Sequence, residues 1–183
     1  ELTDEQREYL EMINASADRL FGVVSDVMDF SELADGKLRR DMVNFDIHEE
    51  LEYDLYVAKL SARHKELRFS TTFSKDIPGF LNSDPARLRQ VLNTLVNNAL
   101  DFTDEGEVTL KVDCDGFDER GRRLLKFIVK GTGHGIPDEF RRTLFDLPVK
   151  IGIGDGEDKS SVAGLGRALA ARLVELFGGE IGV

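Results

Sequence analysis

Apolar residues recur near the start of the chain at Leu10, Ile13, Ala17, Leu20, Val24 and Val27, in steps of three and four. That spacing is the heptad seam of a helix that packs against another helix. Thr3 and Gln6 have capping-box spacing, and Gly36 supplies a stop. A helix of about 30 residues with an apolar stripe needs a partner, so the pattern predicts an inter-helix bundle. A second helix is expected over Asp46–Lys65, with Leu51, Leu55 and Ala58 on one face, after a link through Lys37–Phe45. Alternation over Glu66–Phe73 predicts a strand, and Asp76–Ser83 a turn with a short strand. Asp84-Pro85 starts a helix, with Asp84 as N-cap. Leu88, Leu92, Leu95, Ala99 and Phe102 are its expected core face.

Glu107–Cys114 and Arg122–Lys130 read as an antiparallel hairpin, and Asp138–Phe145 as a short helix. The Gly- and Ser-rich stretch over residues 151–166 reads as a mobile loop, Arg167–Phe177 as the last helix, and Gly178–Val183 as a turn into a final strand. The order lacks βαβ regularity, which predicts an α+β fold with one layer of helices on a sheet.

Two features add candidate chemistry. Thr94, Asn98 and Asp101 form a polar stripe about 110° round the helix from its core face. An asparagine amide oxygen suits Mg²⁺, a hard cation. Gly131, Gly133 and Gly135 then alternate between the second hairpin strand and the short helix, where they allow close approach of a backbone to a ligand.

Composition removes other options. Acidic residues number 35 against 24 basic, a net charge of −11, which argues against a nucleic-acid partner. The one cysteine, Cys114, cannot form an intrachain disulfide and reads as a strand residue. His48 reads as an ordinary early-helix residue, and His64 and His134 are isolated, without metal-site spacing. No apolar run reaches the roughly 20 residues of a membrane span.

In order, Asp84–Val108, then Gly131–Pro137, then Leu144–Asp146, then Ala163–Val183 resemble the catalytic and ATP-binding domain of sensor histidine kinases, hybrid type included. The long first helix resembles the second helix of their dimerisation and phosphotransfer hairpin. The resemblance implies two units, residues 1–40 for the hairpin helix and 41–183 for a domain with a mixed sheet and helices on one face. It implies that ATP lies between the Asn98 helix, the first glycine loop and a lid. Asn98 takes the place of the Mg²⁺ ligand, Phe145 that of the F-box phenylalanine, and Gly164 and Gly166 that of the second glycine loop.

Several ligand positions depart from the family pattern. Gly131 stands for the aspartate that accepts the adenine amino hydrogens, Val162 for a glycine, Asp101 for a basic residue and Thr94 for an asparagine. Arg167 replaces a leucine and is expected to be exposed. The phosphoacceptor histidine of the family would lie upstream of residue 1. The implied function is a kinase-like signalling module with a degenerate ATP site and no bound cofactor. It would pair through the helical hairpin with itself or another sensor kinase, with a response-regulator receiver domain as a further partner. The alternative is an active autokinase using ATP and Mg²⁺. The implied location is the cytoplasmic portion of a membrane-anchored sensor.

Overall fold

The computed structural model describes residues 3–141, 143–146 and 159–183. Helix α1 spans Asp4–Ala34, and the Thr3/Gln6 capping box forms in both directions. Gly36 follows with φ +64°, a left-handed stop. The expected link contains a short strand, β1 (Val43–Phe45). Its three residues are too few for alternation to announce them; its antiparallel pairing with β3 (Leu81–Ser83) makes it a strand.

Helix α2 (Ile47–His64) is capped by Asp46, whose carboxylate accepts the N–H of His48 at 2.7 Å. Strand β2 (Arg68–Phe73) pairs parallel with β4 (Glu107–Phe117), and β4 pairs antiparallel with β5 (Arg123–Gly131). The expected hairpin is therefore present, within a mixed three-stranded sheet ordered β2-β4-β5. Val108, Leu110 and Val112 of β4 are buried, while the alternating Thr109, Lys111 and Asp113 are not, so the helices cover one face.

Helix α3 (Pro85–Asp101) begins at its Asp84 cap. Its buried residues are Val91, Leu92, Val96 and Leu100, not the single stripe the spacing predicts. The helix is covered on two sides. The sheet side takes Leu92, Val96 and Leu100, and the side facing helix α5 (Lys159–Phe177) takes Val91 and Leu95. Phe102 is the C-cap and is exposed, because the stripe stops where the helix does.

Helix α4 covers only Asp138–Arg141, with Thr143–Asp146 in a turn closed by the Asp146 N–H on the Thr143 carbonyl. Of the expected loop, residues 151–158 lie outside the described residues, and 159–166 are helical. Gly178–Val183 forms no strand, since no neighbouring strand pairs with it.

Candidate functional site

Helix α3 carries the predicted ligands between two contacts. Asn98 is half-buried, and its side-chain amide makes no hydrogen bond among the described residues. Thr94 is half-buried and its hydroxyl donates to the Gln90 carbonyl at 2.9 Å. Asp101 is exposed, but it is not a bare charge. Lys65, just after α2, donates to its carboxylate at 2.6 Å and to the Leu100 carbonyl at 3.0 Å. A cation at a helix C-terminus also complements the helix dipole. Lys65 had no signal in the sequence, because its partner lies 36 residues away.

The first glycine loop backs onto the last turn of α3. Thr103 is buried and its hydroxyl donates to the Ala99 carbonyl at 2.7 Å. A side chain at Gly131 would fall on that hydroxyl. A Cβ at Gly133 would fall on the Phe102 carbonyl, a fixed backbone atom, so this close approach needs glycine. Gly135 has φ +73°.

The second glycine motif differs from expectation. Val162, Gly164 and Gly166 all lie within α5, and Gly164 and Gly166 are in its second turn instead of at a helix start. Helical residues there spend their N–H groups on the preceding turn, so they do not offer the free donors that a helix N-terminus presents. Valine also costs less than glycine in a helix interior, which favours continuation through position 162. Gly166 faces the Thr94 methyl and the Asp26 carboxylate, each about 3.5 Å from where its Cβ would stand. The structure thus brings Gly131 and Gly133 to one end of the Thr94–Asn98 stripe and Gly166 to the other.

Phe145 is half-buried in the 143–146 turn. Arg167 was expected to be exposed. It is half-buried instead, and its Nε donates to the Leu144 carbonyl at 3.2 Å, tying that turn to α5. Burial pushes the Arg167 pKa down.

Helix α1 has two separate faces. The seam residues Leu10, Ile13, Ala17, Leu20, Val24 and Val27 are exposed. A different face, with Val23, Asp26, Asp29 and Leu33, is at least half-buried and meets α3 and α5. Asp29 is buried and accepts from Arg87 at 2.6 Å and from Gln90 at 2.9 Å. Gln90 also reaches Asp26 at 3.5 Å. Burial, then the Asp29 charge, raises the Asp26 pKa, and the Gln90 bond pulls against them. The sequence signal was present: Asp26/Asp29 and Arg87/Gln90 are both three apart, so each pair shares a helix face. The heptad seam drew attention to the other side of the same helix.

Residues 83–183 match the family described as Histidine kinase-, DNA gyrase B-, and HSP90-like ATPase. The chain belongs to this ATPase family. It carries the ATPase domain of the two-component sensor histidine kinases. The sensory/regulatory protein RpfC of Xanthomonas campestris is 36% identical over 181 residues, 99% of this chain and 25% of RpfC. Sensor protein GacS of Pseudomonas syringae is 34% identical over the whole chain, which spans 20% of GacS. Among solved structures, full-length ShkA in complex with AMPPNP is 30% identical with a TM-score of 0.72, covering all of this chain and 37% of that one. The Acinetobacter baumannii kinase AdeS, 19% identical over 96% of this chain and 75% of its own, shares the fold with a TM-score of 0.65. The chain therefore spans a quarter or less of RpfC and GacS. Among the described residues no helix is long and apolar enough to cross a membrane.

Proposed function

We propose that this chain is a kinase-like regulatory module of a bacterial phosphorelay. It binds ATP weakly or not at all, and it acts by pairing α1 with the hairpin of another sensor kinase or of a second copy. The observation that carries this reading is the adenine end of the site. Gly131 provides no carboxylate, and the Thr103 hydroxyl that stands against it is already donated to Ala99. The helical backbone at Gly164 and Gly166 supports the same reading at the phosphate end. The parent protein is proposed to be a membrane-anchored sensor, with this part on the cytoplasmic side and a receiver domain among its partners.

Losing one charge-assisted hydrogen bond, about 1.5–3 kcal/mol, weakens binding roughly 10- to 100-fold. Calorimetric titration with ATP and Mg²⁺ is therefore expected to give no saturable micromolar binding, and a micromolar Kd overturns the proposal. Restoring the ligands with Gly131→Asp and Val162→Gly needs Thr103→Ala as well, because any side chain at 131 lands on the Thr103 hydroxyl. A second reading, an active autokinase with its histidine upstream, is favoured by Asn98, whose half-buried amide is free for a cation among the described residues. The same titration separates the two.

Pairing is tested on the exposed seam. Leu20→Gln with Val24→Gln is expected to lower association in sedimentation at least tenfold, since two exposed apolar side chains lose their burial in the bundle. Association that is unchanged removes α1 as the interface.

A further inference from the structure

Helix α2 leaves an apolar stripe outside the fold. Its inner residues Leu51, Ala58 and Ala62 are buried. On the outer side Tyr53 and Tyr56 are 68% and 59% exposed, and Val57 and Leu60 are also exposed. Positions 53, 56, 57 and 60 share one helix face, so the patch is contiguous.

The charges around the stripe are segregated. Glu49 and Glu52 precede the tyrosines, and Lys59 and Arg63 follow them. All four are exposed, and none makes a side-chain ion pair among the described residues. The inward-facing acids of the same helix behave differently: Glu50 and Asp54 both hold Arg89 of α3. The helix dipole accounts for acids in the first turn and bases in the last. It does not account for two tyrosines in water between them.

The outer face is self-complementary. Steps of three and four lead from Glu49 through Glu52 to Tyr56, and steps of four and three lead on through Leu60 to Arg63. Glu49 and Arg63 are each seven residues, about two turns, from Tyr56 and lie within about 20° of its direction. A two-fold axis at Tyr56, with two α2 helices antiparallel, sets Glu49 against Arg63 twice and Tyr56 against itself. An isologous interface needs this self-match. Paired aromatic rings at Tyr56 add attraction.

We infer that the outer face of α2 docks on the same face of a second copy of this chain, as a weak antiparallel contact separate from the α1 seam. One helix face is small against a standard interface of about 800 Å² per partner, so the contact is of the transient class. It would join kinase-like domains laterally, whether or not nucleotide binds.

The test uses the 183-residue chain carrying Leu20→Gln and Val24→Gln, so that seam pairing does not contribute. Sedimentation equilibrium at high protein concentration is expected to show a monomer–dimer equilibrium, weakened roughly tenfold between 0.05 and 0.5 M salt. Arg63→Glu is expected to weaken association at least tenfold. Adding Glu49→Arg to it is expected to restore association, because the swapped charges again face each other. Tyr56→Ser, which leaves every charge in place, is expected to weaken it as well. Unchanged melting temperatures show that each variant is folded. Three results overturn the inference. The chain is monomeric at every concentration, or the charge swap fails to restore association, or the protein remains monomeric and floats with phospholipid vesicles, which makes a lipid surface the occupant.

Discussion

Replacing Asp29 with alanine is expected to release α1 from the domain. Asp29 is buried and holds both Arg87 and Gln90. Removing one partner of a largely buried pair leaves the other uncompensated, at a cost of about 3 kcal/mol. The loss falls on local opening, because the sheet and the α3 core do not depend on this contact. Hydrogen-exchange protection in the last three turns of α1 is expected to drop roughly 100-fold, with the β4–β5 core little changed. Protection in α1 that stays at the parent level sinks this account of the docking.

Asp26, on the same face, is expected to act in the opposite direction. Its docked pKa is raised, chiefly by burial, so the docked form takes up a proton that the released form does not. Docking is therefore strongest when Asp26 is protonated and weakens as pH rises through its raised pKa. Asp26→Asn is expected to remove that slope and hold α1 at least as firmly at neutral pH. Gln90 can still donate to the asparagine oxygen.

Gly133→Ala is expected to be the most damaging change in the candidate site. The new methyl would overlap the Phe102 carbonyl, and a backbone atom at a helix C-cap cannot rotate away. Overpacking of this kind costs about 3 kcal/mol, near the upper end of its range. For a chain of this size that is a fall of about 6–12 °C in Tm. Gly135→Ala is a control: its φ is +73° but nothing stands near its Cβ, so the cost is limited to backbone strain of about 1 kcal/mol. Equal melting temperatures for Gly133→Ala and the parent would show that the loop does not rest on Phe102.

The long elements could be read from the sequence because each has a local cause. α1 has its capping box, α3 its Asp-Pro start and β4 its alternation. β1 could not be read, because three residues become a strand only by finding β3 across 38 positions. The core face of α3 was half right for a related reason: spacing identifies one stripe, and contact with both the sheet and α5 buries two. Motif order assigns the candidate site residues but says nothing of their environments. Asp101 stands in the sequence for a basic residue, and its partner Lys65 comes from the end of α2, 36 residues away. Gly166 reads as part of a loop until the helix is seen to start at Lys159.

The two faces of α1 make the docking contact sensitive to rotation of the helix. The helix has 31 residues and spans about 46 Å at 1.5 Å per residue. Its exposed seam runs from Leu10 to Val27, and its clamp is at Asp29. Side-chain tips lie about 5–6 Å from the helix axis, so a twist of about 30° carries the Asp29 carboxylate about 3 Å round the axis. That exceeds the tolerance of a hydrogen bond. A twist applied by a partner along the seam would thus open the Arg87 contact with almost no travel along the axis.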